Sequence, residues 1–177
     1  MSDNLLWARN TFSGSNRTIF WSHNAHARVD PDYYGEGGPS AGMLLRQSLG
    51  DDYLVIGTAF GGGAVTAVEE DPVTGEDTPP HTVPIDTLPV PGSLNHLFGR
   101  SGERALVADV RRVRPRSSLS DYLENGMLFF GVGDFFTGSY IDHFRFYEGP
   151  VAGEFDLIFW FDTVFPLTLL QSNSPDE

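Results

Sequence analysis

Residues 17–26 read Arg17-Thr18-Ile19-Phe20-Trp21-Ser22-His23-Asn24-Ala25-His26, and this stretch decides the fold class. Its first five positions are rich in β-branched and aromatic side chains, the composition of a buried strand. A polar turn carrying two imidazoles follows at once. In open α/β sheets ligands gather beyond the carboxyl ends of the strands. A strand that opens directly into His23 and His26 therefore puts two titratable rings where sites are built. Imidazoles three residues apart can reach one cleft as metal ligands, proton carriers or hydrogen-bond donors. They can equally cap the turn by bonding backbone, and spacing alone leaves both roles open.

Upstream, Leu5, Leu6, Ala8 and Phe12 fall near helical spacing, with Ser2 or Asp3 as cap and residues 13–16 as the stop. Downstream, residues 28–39 are a loop, and Ala41 to Leu49 form a helix ended by Gly50. A second strong strand runs from Tyr53 to Phe60. Gly61-Gly62-Gly63 then predicts a turn into a return strand, Ala64 to Val68. Residues 69–82 are acidic and rich in breakers, the signature of a hairpin or insertion loop. Ser93 to Phe98 reads as a short helix, Ala105 to Val110 as a strand and Leu119 to Leu123 as a helical turn. Leu128 to Val132 and Asp156 to Phe161 complete the strands. The expected fold is α/β: a mixed, partly parallel sheet flanked by helices, with an irregular antiparallel second half. One domain covers residues 1–170, and 171–177 are expected to be a disordered tail.

Composition narrows the chemistry. A chain of 177 residues is enough for one domain with a sizeable core. It has no Cys, which excludes a disulfide scaffold, thiolate zinc sites and a cysteine nucleophile. No apolar run is long enough to span a bilayer, and Met1-Ser2-Asp3-Asn4 lacks the basic start of a secretory signal, so a cytoplasmic protein is expected. The net charge is −13, and all 11 basic residues are Arg. Such a surface repels polyphosphate, so neither nucleic acid nor an anionic membrane is an expected partner. The Arg111-Arg112-Val113-Arg114-Pro115-Arg116 run is read as a solvated strand end and turn. An acidic, Lys-free surface also fits a halophile-like protein working in concentrated salt, where screening removes self-repulsion.

Gly38-Pro39-Ser40-Ala41-Gly42 satisfies the nucleophile-elbow pattern G-x-S-x-G. That elbow needs a strand directly before its Ser, and here a breaker-rich loop precedes it. Ser40 is therefore read as the N-cap of the next helix. His81, His96 and His143 are read as packing or surface residues. Gly61-Gly62-Gly63 lacks the Lys-Ser/Thr of a phosphate loop. Phe129-Phe130, Phe135-Phe136 and Phe144 are candidates to line an apolar pocket. Two His at i, i+3 give at most half a zinc site, with Asp30 or Asp32 as the nearest carboxylates. No cofactor and no tightly bound metal are expected.

Beyond these readings, Arg17 to His26 resembles the segment around the His-Asn-Ala-His motif of the erythromycin esterase-like family. Asp3-Asn4-Leu5-Leu6-Trp7 is similar to the helix before it. Ser40 to Leu45 with Leu49-Gly50-Asp51-Asp52-Tyr53, and Tyr53 to Gly57 through Phe60-Gly61 and Gly63, resemble the family's next two segments. Phe155-Asp156-Leu157-Ile158 resembles its closing strand. The similarity is densest from residue 3 to 67 and thin between 72 and 150.

The resemblance implies hydrolysis of a carboxylic ester, in known members the macrolactone of the antibiotic erythromycin, by water that a general base activates. It assigns His23 and His26 to the catalytic wall and Asn24 to substrate binding. The family's amino-terminal half carries a Gly-Glu-x-x-His motif with the principal base. Each Gly-Glu pair here, at 35–36, 75–76, 102–103 and 153–154, lacks a His three places after the Glu. The chain therefore resembles the carboxyl-terminal part of that domain. It is expected to be a hydrolase of a small-molecule ester that is truncated, one half of a split enzyme, or a non-catalytic remnant that binds a small molecule. A separate amino-terminal half-domain, or self-association through an unpaired strand edge, is the expected partner.

Overall fold

A 14-residue strand, β1 (Ile56–Glu69), runs through the three consecutive glycines without turning. In its first half β1 pairs in parallel with β7 (Leu157–Val164), from Ile56 opposite Leu157 to Gly63 opposite Val164. In its second half it pairs antiparallel with β2 (His81–Ile85). The expected turn at Gly61–Gly63 is thus corrected. The glycines serve close approach instead: a Cβ on Gly63, whose φ is +121°, would lie 2.0 Å from the Val164 carbonyl oxygen. Chain reversal comes later, in the acidic stretch between β1 and β2, so that stretch is a hairpin loop.

The computed structural model describes residues 1–12, 14, 17–31, 38–69, 71, 73–85, 91–125, 127–129, 135–136 and 147–168, with backbone alone for 127–129, 135–136 and 147–149. Among them the sheet order is β2-β1-β7-β3, where β3 (Ala105–Asp109) is antiparallel to β7. β4 (Met127–Phe129) and β6 (Tyr147–Gly149) form an antiparallel pair, and β5 (Phe135–Phe136) joins the far end of β1 in parallel. The protein is a mixed, partly parallel α/β fold with an antiparallel second half, as the sequence predicts. The expected tail, residues 171–177, lies outside the described residues.

Among the described residues five α-helices flank the sheet: α1 (Ser2–Phe12), α2 (Asn24–Ala27), α3 (Ala41–Leu49), α4 (Leu94–Gly99) and α5 (Ser118–Glu124). α3, α4 and α5 start where a serine, at 40, 93 and 117, accepts the N–H three residues on. None of the described helices is long and apolar enough to cross a membrane. The core forms on one face of the sheet, where Val55, Ala59, Ile158 and Trp160 meet Leu94, Leu123, Val151 and Phe155. The period-2 alternation of β1 and β7 supplies that face.

Residues 17–21 depart from expectation. They join no ladder, and Ile19 and Trp21 are 90% and 89% exposed. The edge of β1 explains why. Thr58 and Phe60 direct backbone groups away from β7, and two asparagine amides occupy them: Asn24 engages Thr58, and Asn95 donates to the Phe60 carbonyl at 2.8 Å. Side chains already hold the donors and acceptors that a neighbouring strand would use here.

Candidate functional site

The His23–His26 turn is the one-turn helix α2 with His23 as its N-cap. His23 Nδ1 accepts the Ala25 N–H at 3.2 Å, so the backbone-capping role left open by the sequence is filled by one of the two imidazoles. An N–H can only donate, so Nδ1 presents its lone pair and the neutral ring carries its proton on Nε2. Nε2 of His23 is thereby a hydrogen-bond donor. His26 follows three residues later on the same short helix and is half-buried.

Between them, Asn24 faces β1. Its Nδ2 donates to the Thr58 carbonyl at 2.7 Å, and its Oδ1 accepts the Thr58 N–H at 2.9 Å and the Thr58 hydroxyl at 3.2 Å. The amide thus pairs with Thr58 as a strand residue would.

The far end of the turn is held just as closely. Tyr53, at the entry to β1, donates its hydroxyl to the Ala27 carbonyl at 2.8 Å. Its pKa is pushed up to about 12, first by burial, with the Asp156 carboxylate adding to the rise and the Arg46 guanidinium opposing it. Ser40 donates to the Arg28 carbonyl at 2.6 Å and accepts both the Asp30 N–H and the Met43 N–H. It is fully buried, and residues 38 and 39 directly before it join no strand, so Ser40 is a helix cap and not an elbow nucleophile. Gly42 lets α3 press against this corner, since a Cβ there would lie 2.0 Å from the Ala27 carbonyl oxygen.

Buried charge lies beneath. Arg28 pairs with Asp30 and reaches Glu154 at 3.9 Å. Asp30, the carboxylate weighed as a metal ligand, is therefore engaged by a guanidinium. Asp32 lies outside the described residues, as do His143, Phe130 and Phe144 and the side chains of Phe129, Phe135 and Phe136. Among the described residues no group of three or more His, Asp or Glu is arranged to hold a metal. His81 stands apart on the hairpin and bonds Glu69 at 2.7 Å, and Arg111 forks onto Asp109 at 3.1 Å. Sequence reasoning passed over Thr58, Tyr53 and Asn95. Only the position of Tyr53 at the start of an apolar strand hinted at a packed residue, and nothing marked Thr58 or Asn95.

A model of the family described as erythromycin esterase matches residues 1–164. No curated protein matches the chain. Two solved structures share its fold. A Bacillus cereus protein is 21% identical with a TM-score of 0.73, and a succinoglycan biosynthesis protein is 22% identical with a TM-score of 0.68. Each likeness covers 93% of this chain and 37% of the solved one, so the chain spans well under half the length of those relatives.

Proposed function

The chain belongs to the erythromycin esterase family, and from that footing we propose that it supplies one wall of a site that hydrolyses a carboxylic ester by activated water. The observation that carries the reading is the His23 ring, whose Nδ1 is taken by the Ala25 N–H. Water attacking an ester carbonyl builds charge on the carbonyl oxygen, and a donor aimed there lowers the barrier. Nε2–H of His23 is suited to that task, and one such donor is typically worth about 10²–10³-fold in rate. His26 is assigned the proton that the departing alcohol oxygen needs. With its proton on Nε2, His23 cannot also take the water's proton there, so the base comes from another group. No Gly-Glu-x-x-His sequence in this chain provides one.

The reading therefore includes a complementary polypeptide. Ile19 and Trp21 are exposed while Phe20 and Ser22, which alternate with them, are half-buried, a strand-like alternation with apolar side chains on both faces. Such a segment suits a strand covered on both sides. The proposed partner is a separate amino-terminal half-domain that covers this face and brings the base. A macrolactone of the erythromycin type is the proposed substrate.

Titration of ¹⁵N-labelled chain with erythromycin tests the wall. Resonance shifts centred on His23, His26 and Thr58 are expected. Shifts confined to the 69–81 hairpin, or none at millimolar ligand, would remove the turn from the substrate site.

A further inference from the structure

We infer that Asn24 is a positioning residue that fixes the protonation pattern of His23 by pairing with Thr58. The residue between two candidate catalytic histidines is readily taken for a substrate ligand. Its geometry is different. Both ends of its amide meet the backbone of one residue, Thr58, at 2.7 and 2.9 Å, and the Thr58 hydroxyl adds a third contact to Oδ1 at 3.2 Å.

Asn24 is the first residue of α2, directly after its N-cap. Pinning it to β1 fixes where the helix starts and aims the Ala25 N–H at His23 Nδ1. Without the pin, a four-residue helix has little of its own to hold its first turn together, because so short a segment barely exceeds the helix nucleus. His23 would then exchange between its two neutral forms, and Nε2 would carry its proton only part of the time. Thr58 anchors a turn 34 residues away in sequence, at a level where β1 is rigidly paired to β7. The consequence for turnover rests on the proposed hydrolase reading. The consequence for the histidine does not.

Long-range ¹H–¹⁵N spectra of histidine-labelled full chain near pH 8, without substrate, separate the two. For the native chain His23 is expected to show a protonated Nε2 and a bare Nδ1. In Asn24→Ala that signature should move toward the averaged pattern of a free imidazole, and the Thr58 amide should exchange about three- to tenfold faster. Asn24→Asp keeps the acceptor for the Thr58 N–H but loses the donor, so an intermediate pattern is expected. It also serves as the second variant if Asn24→Ala fails to fold. An unchanged His23 pattern in both variants, or a proton on Nδ1 in the native chain, would overturn the inference. A tautomer that responds as stated, while the chain paired with a polypeptide that brings the base still hydrolyses no ester, would instead count against the hydrolase reading alone.

Discussion

Arg46 donates from Nη2 to Asp156 Oδ2 at 2.6 Å across 110 positions of sequence, and the same oxygen accepts the Val55 N–H at 2.7 Å. One carboxylate thereby ties α3 to the entry of β1 at the point where β7 begins, and it is nearly buried. Removing it strands a guanidinium and a backbone donor together. Asp156→Ala should cost about 3 kcal/mol of unfolding free energy. Asp156→Asn, which keeps an acceptor for Val55, should cost about 1 kcal/mol. Urea denaturation of both variants checks the order, and equal losses would show that the Val55 contact contributes nothing.

Ser40 satisfies two backbone donors and one carbonyl from a site without solvent access. Ser40→Ala should destabilise the chain by about 2 kcal/mol. The same geometry keeps its hydroxyl from reagents, so a fluorophosphonate probe should leave the protein unlabelled in intact-mass spectra. A stoichiometric adduct at Ser40 would restore the nucleophile reading.

Gly63 holds a left-handed backbone against Val164. Gly63→Ala combines that strain with a clash against backbone, which has little freedom to yield. A loss of at least about 2 kcal/mol is expected by chemical denaturation. Gly14→Ala, where a Cβ meets nothing within 4 Å, is the control and should be close to neutral.

The hairpin carries the clearest pH dependence. His81 Nδ1 faces the Pro79 carbonyl at 3.0 Å and Nε2 faces the Glu69 carboxylate at 2.7 Å, so both nitrogens donate when the ring is charged. The Pro79 carbonyl first, and then Glu69, raise the pKa of His81 above its ordinary value. A raised histidine stabilises the fold fully below its unfolded pKa of about 6.5, and the gain is lost as pH rises through the folded value. An NMR titration should place the His81 midpoint above 6.5, and Glu69→Gln should bring it down. A midpoint at or below the free value would refute the pairing.

Much of the fold was legible from local chemistry. Ser40 and Ser93 announced their helices because a cap acts within three residues, and the Asp156–Phe161 run announced β7 because every residue after Asp156 in it is apolar. What misled was composition read without partners. Arg17 to Trp21 has strand chemistry, but a strand exists only where a neighbour offers backbone groups, and here Asn24 and Asn95 already occupy the edge of β1. Gly61 to Gly63 have turn chemistry, yet the same lack of a Cβ serves close contact with β7. At the site, the histidine turn stood out by residue type. Its anchors, Thr58 and Tyr53, are ordinary residues whose importance comes from contacts 34 and 26 positions away.

The central claim is that this chain holds the donor wall of an ester-hydrolysing site and lacks its base. The direct measurement is erythromycin opening, followed by mass spectrometry as addition of one water. It is run with the chain alone, with the chain co-expressed beside a polypeptide carrying the family's Gly-Glu-x-x-His segment, and with that pair bearing His23→Ala. The expected result is no conversion above buffer for the chain alone, conversion by the pair, and a loss of about 10²–10³-fold on His23→Ala. Conversion by the chain alone that His23→Ala abolishes would contradict the claim by making His23 the base, and an inert pair would leave a binding module in place of a hydrolase.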